Sequence, residues 1–270
     1  MGNSSKNNLV LSNPNAAGID IGDREHWVSV PSDRDSNPTR KFGTFTDDLS
    51  SISKWLKHCG IETVAMESTG VYWLQLYLYL EEQGFEVFLV NAKHVKNVTG
   101  RKDDDTDSQW IQRLHSFGLL SNSFQPKGEI RELRDYARQR KQLIHDAARQ
   151  IQHMQKAMEQ MNIKLHTVIS DLTGMSGRKI ITAILNGERD ATKLSTLVDP
   201  RIKASQEEIQ KSLTGYWRPE YLFELKQAND LYVFYSKMII ECDEATEQAL
   251  KGLIKENDEV SATVKDKKKN

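Results

Sequence analysis

The first 120 residues alternate short apolar runs with stretches of helical periodicity. Two apolar runs joined by Gly22 and Asp23 predict a hairpin, and a third alternating run predicts another strand. Leu49, Ile52 and Leu56 then recur at helical spacing. Strands and helices follow in turn, which predicts an α/β unit with a mixed sheet. The predicted strands cover 17–21, 26–30, 41–46, 63–66 and 86–90. After the strand at 63–66, helices are predicted over 72–82, 91–98 and 105–119.

Two longer periodic stretches follow, and both predict coiled-coil helices. Seam residues recur in alternating steps of three and four, and Arg140 is the charged exception in the first stretch. The first helix is net basic and the second net acidic, so we expect them to pair, either antiparallel within one chain or between two chains. The seam positions are 130, 133, 137, 140, 144, 147, 151, 154, 158 and 161, and then 225, 228, 232, 235, 239, 242, 246, 249 and 253.

The patterns predict a two-part chain with a polar tail at each end. We expect a disordered tail over 1–16, an α/β domain over 17–125 and an all-α domain over 127–260. Small helices between the two long ones are predicted within 165–221. The final segment, 261–270, is a lysine-rich tail.

The composition of the chain argues against several classes of protein. The 37 Lys+Arg and 38 Asp+Glu give a net charge of -1, which argues against a polybasic protein that holds nucleic acid by bulk charge. Hydrophobic residues make up 38%, enough to build a core. Cys59 and Cys242 are too isolated for a zinc finger or a disulfide framework, which favours a reducing cytoplasm. No run approaches the roughly 18 apolar residues of a membrane span, so no membrane partner is expected.

Four acidic residues of the first part are candidates for chemistry. Asp20 lies within an apolar strand, and Glu67 ends a predicted buried strand, at the edge where α/β sheets bind ligands. Asp104 and Asp107 are three residues apart at a helix start. Clustered carboxylates suit Mg²⁺ or Mn²⁺, and two such ions can drive phosphodiester cleavage. Alternatively, the acids at 103–107 are a solvated helix start, and Glu67 is a capping partner.

Three motifs occur in order along the chain, and together they are more specific than any one acid. The sequence closely resembles the DEDD transposases of the insertion sequence one-ten family, relatives of the Piv pilin-gene inversion recombinases, over about 17–260. The motifs are Ala17-Gly18-Ile19-Asp20-Ile21-Gly22, Met66-Glu67-Ser68-Thr69-Gly70-Val71-Tyr72-Trp73, and Gly100-Arg101-Lys102-Asp103-Asp104-Asp105-Thr106-Asp107-Ser108-Gln109-Trp110.

The resemblance implies a RuvC-like (ribonuclease-H-like) fold for 17–125. It implies that Asp20, Glu67, Asp104 and Asp107 are the four metal-binding acids of a DNA transposase or site-specific recombinase, an enzyme of metal-dependent DNA strand cleavage and transfer. One departure is Asp103, where the family usually has Ser or Thr. It adds charge beside the site without removing a ligand.

The resemblance also implies DNA and a structured guide RNA as partners. We expect further copies of the chain to join through the coiled coil, in a bacterial, nucleoid-associated cytoplasmic protein. A guide delegates sequence specificity to base pairing, so local basic surfaces suffice. A solvated helix face paired to the acidic helix is the alternative for the basic residues of the first long helix. The nucleic-acid candidates are Lys93, Lys96, Arg101 and Lys102 beside the acids, and Arg131, Arg134 and Arg138 on the first long helix.

A second departure concerns the end of the chain. Family members carry a further C-terminal domain with a serine nucleophile, and this sequence ends at Lys267-Lys268-Lys269-Asn270, where that domain is expected to begin. We therefore expect a truncated or frameshifted transposase. Two alternatives stay open: a standalone RuvC-like junction nuclease, and a non-catalytic regulator that binds nucleic acid. An actin-like ATPase is disfavoured, because it gives the Asp104/Asp107 pair no role.

Overall fold

The computed structural model describes residues 11–68, 70–91, 95, 106–126 and 128–267 of the 270-residue chain. It divides into two compact units, Met1–Gln125 and Pro126–Asn270, called here the α/β unit and the helical unit. Within the described residues, no helix is long and apolar enough to cross a bilayer.

The α/β unit is built on a five-stranded mixed sheet in the order β3-β2-β1-β4-β5, which confirms the predicted α/β architecture. The central strand β1 is antiparallel to β2 and parallel to β4, and β4 is parallel to β5. The strands are β1 Ala16–Ile21, β2 His26–Ser29, β3 Thr39–Phe42, β4 Thr63–Glu67 and β5 Glu86–Val90.

In the part of this unit that the structure describes, three helices cover the sheet: α1 Thr46–His58, α2 Trp73–Glu82 and α3 Asp107–Ser116. Because side chains alternate along a strand, each central strand supplies two cores. One core contains β-strand residues such as Val64 and Met66 together with apolar residues of α1 and α2. The other contains Ala65 and Val90 together with Ile111 and Leu114 of α3. The α3 helix therefore lies on the sheet face opposite α1 and α2.

The start of α3 is fixed by a reciprocal cap. The backbone N–H of Gln109 donates to Thr106 Oγ1 at 3.3 Å, and Gln109 Oε1 accepts from the Thr106 backbone N–H at 2.9 Å. This capping box begins the helix at Asp107, two residues after the predicted start at Asp105. The predicted helix over 91–98 lies largely outside the described residues.

The expected disordered tail 1–16 is wrong for its last six residues. The Asn13 backbone N–H donates to Ser116 O at 3.0 Å, and its side-chain amide donates to His115 O at 2.7 Å. The Asn15 carbonyl accepts from Glu62 N at 3.0 Å, and Ala16 begins β1. These bonds join residues distant in sequence, which a polar local pattern such as Ser-Asn-Pro-Asn does not reveal. Residues 1–10 lie outside the described part of the chain.

The helical unit consists of two long helices and a cluster of short ones between them. A short 3₁₀ helix, Leu165–Thr167, precedes the other short helices. Met154, Met158 and Leu225, from both long helices, share one core with residues of the short ones. The α-helices are α4 Glu129–Gln160, α5 Met175–Leu185, α6 Ala191–Ser195, α7 Gln206–Ser212 and α8 Pro219–Lys267.

The long helices α4 and α8 pack antiparallel within one chain, one of the two predicted arrangements. Away from the short helices, in the N-terminal half of α4, Arg140 forms an ion pair with Asp243 on α8. All nine predicted seam positions of α8 are buried or half-buried. On α4, however, Ile130, Ala137 and Ile144 are exposed. Tyr136 and Leu143 are half-buried instead, so at this end the side of α4 that faces α8 lies one residue earlier than the predicted positions.

Candidate active site

Two of the predicted acids lie at neighbouring strand ends. Asp20 is the fifth residue of β1, and Glu67 is the last residue of β4. These strands are parallel neighbours in which Ile19 is paired with Met66, so Asp20 and Glu67 occupy successive positions at the same edge. The carboxyl edge of parallel strands is where open α/β sheets bind ligands.

The third acid, Asp107, is brought to this edge by the close approach of α3 to β1. A Cβ atom at Gly18 would lie closer than 3.0 Å to backbone atoms of Ser108 and Gln112. Only glycine allows this distance without displacing the helix. The buried hydroxyl of Ser108 also forms a hydrogen bond of 2.8 Å with that of Ser29 on β2. Helix α3 is therefore fixed to the sheet immediately after Asp107.

In the sequence, Gly18 stood out only as part of a motif, and the close approach of α3 to this glycine was not predicted. The signal was present, because a glycine inside an apolar strand often marks a close approach of another backbone. What the sequence did not show is which backbone approaches. The structure identifies it as that of α3, which carries Asp107.

The charges of Glu67 and Asp107 act on the carboxyl group of Asp20. The pKa of Asp20 is raised, first by burial and then by the negative charges of Asp107 and Glu67. Asp20, Glu67 and Asp107 therefore lie near the same edge of the sheet without forming a closed cluster, and Asp104 lies outside the described residues. The described residues contain no group of three or more His, Cys, Asp or Glu side chains close enough to hold a metal ion.

The donor chemistry of these acids fits a hard divalent cation. Asp20, Glu67 and Asp107 offer carboxylate oxygens, the ligands that Mg²⁺ and Mn²⁺ prefer. Among the described residues, the neighbouring charges that set the pKa of Asp20 are both negative. A bound cation would relieve this repulsion and favour the ionised carboxylate.

Only some of the candidate nucleic-acid-binding residues lie within the described part of the chain. Lys93, Lys96, Arg101 and Lys102 lie outside the described residues. On α4, Arg134 is exposed and Arg131 is half-buried. Arg138 lies 3.5 Å from Asp135, one turn away on the same helix. An exposed pair of this kind contributes little to stability, so it does not prevent Arg138 from contacting phosphate.

A protein-family model matches the part of the chain that carries these acids. The model of the family DEDD_Tnp_IS110, described as Transposase, matches residues 17–163. The match therefore includes β1, β4 and α3, which carry the described acids, and all of α4. No curated protein matches the chain at a significant level. A sheet edge with converging carboxylates and a family match over more than half of the sequence lead to one conclusion: the chain belongs to the DEDD_Tnp_IS110 transposase family.

Proposed function

We propose that this protein is a transposase that cleaves and transfers DNA strands with divalent metal ions held by Asp20, Glu67, Asp104 and Asp107. The observation that carries the proposal is the strand pairing that places Asp20 and Glu67 at successive positions of one sheet edge, where Asp107 is near enough to help burial raise the pKa of Asp20. Acids of β4 and α3 thus act on an acid of β1 at one sheet edge. Structural acids on a solvated surface have no need to converge in this way.

Asp20, Glu67, Asp104 and Asp107 would hold Mg²⁺ or Mn²⁺, which would supply activation of the attacking oxygen and stabilisation of the leaving oxygen of the phosphodiester. The protein supplies the ligands and their spacing. Glu67 and Asp20 are held by adjacent parallel strands, whose hydrogen-bonded backbone fixes their separation. Asp107 is held by α3, whose distance from β1 depends on Gly18.

The proposed partners are DNA and a structured guide RNA. Base pairing by a guide would supply sequence specificity, which agrees with a chain whose net charge is only -1. The basic candidates would then contact phosphates, and such contacts weaken steeply as salt rises. Arg134 and Arg138 are the described residues best exposed for this role.

The test of cleavage compares two neighbouring acids. We expect the purified chain to nick plasmid or branched DNA in Mg²⁺ or Mn²⁺ and to stop when the ions are chelated. Asp20→Asn should lower the rate by at least about 100-fold, because it removes a ligand charge. Asp23→Asn is the matched control, since Asp23 is an exposed acid three residues away and should be dispensable. Cleavage by Asp20→Asn at the wild-type rate would contradict the proposed site.

A non-catalytic regulator that binds nucleic acid is the second candidate. The observation in its favour is that the described acids alone form no group close enough to hold a metal. A gel shift with RNA from the element separates the two functions. The regulator would be favoured if the wild-type chain cleaves no DNA and the Asp104→Asn/Asp107→Asn variant still binds the RNA.

A further inference from the structure

Trp27 lies beside the proposed metal site, on the same face of the sheet. The register of β1 and β2 pairs Trp27 directly with Asp20. Paired residues share a face, and residues two apart on a strand do too, so both side chains lie on the side where α3 approaches Gly18. The Ser29–Ser108 hydrogen bond joins this same face of β2 to α3. Neighbouring strands are about 5 Å apart, so one strand spacing separates the Trp27 and Asp20 backbones.

Trp27 is the most exposed of the five tryptophans, all of which lie within the described residues. It is 38% exposed, whereas Trp55 and Trp110 are 7% and 5% exposed. Trp73 and Trp217 are half-buried. Trp27 also belongs to neither core of the α/β unit. Core packing therefore does not account for a large aromatic ring at this position.

Polar contacts hold the Trp27 ring in one orientation. Its indole N–H donates to Glu25 Oε1 at 3.2 Å, and Lys41 Nζ lies 5.9 Å from the centroid of the ring. Lys41 also forms an ion pair of 3.0 Å with Glu25. An aromatic side chain that is already fixed loses little conformational entropy when it binds, so this ring is suited to stacking on a ligand.

The row of paired residues through Asp20 is open on one side. Toward β5 the row passes Glu67 and reaches Val90, which is fully buried. Toward β3 it passes Trp27 and reaches Lys41, whose side chain is 54% exposed. Within the described part of the chain, a nucleic-acid strand bound at Asp20 can therefore extend over Trp27 and Lys41 but not over Val90.

We propose that Trp27 stacks on an unpaired base of the DNA strand whose phosphate is held at Asp20, and that Lys41 contacts a neighbouring phosphate of that strand. The proposal rests on the proposed function, because it takes the strand held at Asp20 to be DNA. Every base has an aromatic face, so one tryptophan can position a strand without reading its sequence. Sequence specificity is then left to base pairing with a guide.

The stacked base must be free of one of its neighbours. In an intact duplex both faces of a base are covered, and a protein ring can reach one only where the stack is opened. Strand transfer requires such an opening beside the cut. Trp27 should therefore favour DNA that is already unpaired next to the phosphate held at Asp20.

Binding of a fluorescently labelled DNA oligonucleotide with a run of unpaired thymines tests the proposal. Fluorescence anisotropy is measured with the full chain in Mg²⁺, and a gel verifies the length of the probe afterwards. The wild type should bind this probe more tightly than the same sequence in a duplex. Trp27→Ala should weaken binding of the unpaired probe about tenfold, the usual contribution of one stacked base. A wild type without preference for the unpaired probe would overturn the proposal.

Two further variants separate stacking from loss of structure. Trp27→Phe keeps an aromatic face and should bind within about threefold of the wild type. Trp27→Leu keeps an apolar side chain without an aromatic face and should bind as weakly as Trp27→Ala. Wild-type affinity in Trp27→Leu would refute stacking. The quenching of tryptophan fluorescence by DNA should also be smaller in Trp27→Phe, although this variant still binds.

Lys57 provides the matched control for Lys41. Lys57 Nζ lies 5.9 Å from the ring centroid of Phe85, the same distance as in the Lys41–Trp27 pair, but it belongs to the last turn of α1 and lies outside the row through Asp20. Lys41→Gln should reduce the slope of log K against log[salt] by about 0.7, the value for one phosphate contact of a single strand. Lys57→Gln should leave it unchanged, and equal slopes in the two variants would refute the role of Lys41.

The same probe made of RNA distinguishes the two nucleic acids. If Trp27→Ala weakens binding of the RNA probe alone, Trp27 contacts the guide and the proposal is wrong. None of these measurements depends on cleavage. Normal nicking of DNA by a chain whose Trp27→Leu variant binds as tightly as the wild type would refute this inference and leave the proposed function standing.

Discussion

At the scale of single residues, His115 on α3 has a defined protonation state. Its ring is fully buried against Phe88, and Nε2 lies 2.8 Å from Thr63 Oγ1. The Thr63 hydroxyl donates to the carbonyl of Glu86 at 3.1 Å, so the histidine Nε2–H must be the donor to Thr63. Nδ1 is buried with no hydrogen-bond partner among the described residues. Burial lowers the pKa of His115 to about 4.

His115 should make the α/β unit sensitive to mild acid. Its folded-state pKa of about 4 lies below the ordinary 6.5, so the unfolded chain takes up a proton first. Its contribution to stability is present above pH 6.5 and is lost as the pH falls towards 4. Between about pH 7 and pH 5, the loss in the free energy of unfolding should be about 2 kcal/mol. Urea unfolding followed by tryptophan fluorescence measures it.

His115→Leu is the comparison, because leucine cannot be protonated and Thr63 keeps its bond to Glu86. The variant should lose about 2 kcal/mol less than the wild type over the same pH range. Equal losses in the two proteins would show that His115 is not responsible for acid sensitivity.

At the scale of elements, the contact of α3 with β1 sets the position of Asp107. Strands and helices were predictable because local periodicity reports them. The Thr106–Gln109 capping box was also visible in the sequence, although the predicted helix start missed it. The contact of α3 with Gly18 was not predictable, because it joins elements about 90 residues apart through tertiary packing.

Gly18→Ala should displace α3 and reduce cleavage while leaving all four acids in place. The added methyl group would overlap backbone atoms of Ser108 and Gln112, which cannot rotate away as a side chain can. We expect a loss of about 3 kcal/mol in the free energy of unfolding and at least about tenfold in cleavage rate. Gly252→Ala is the control, because nothing lies within 4 Å of its added Cβ. Unchanged cleavage by Gly18→Ala would refute a positioning role for this contact.

At the scale of the whole molecule, each unit has its own core. The α/β unit is packed around both faces of its sheet, and the helical unit is packed around Met154, Met158 and Leu225. The net charge of the chain is near zero although α4 is net basic and α8 is net acidic, because charges of opposite sign cancel in the sum. Their pairing was predictable from this opposition of charge. The exposure of Ile144 was not, because Leu143 beside it is apolar too and local periodicity does not decide which of the two faces α8.

Met158→Ala should destabilise the helical unit selectively. Met158 is 1% exposed, and its truncation should cost about 2–5 kcal/mol. Far-UV circular dichroism, dominated by the helices, should show a lower urea midpoint. Tryptophan fluorescence should shift less, because four of the five tryptophans (Trp27, Trp55, Trp73 and Trp110) belong to the α/β unit. Equal shifts of both signals would contradict separate cores.

The anchoring of Asn13 to His115 and Ser116 has a consequence for biosynthesis. Asn13 and His115 lie 102 positions apart, and β1 needs α3 to cover one of its faces. At about 5–20 residues per second, the ribosome makes β1 roughly 5 to 20 seconds before the helix that completes it. During this delay the nascent chain carries Asp20, and later Glu67, without Asp107. The nascent chain should therefore lack the proposed cleavage activity. The set of acids is complete only after α3, which ends at Ser116, has left the exit tunnel.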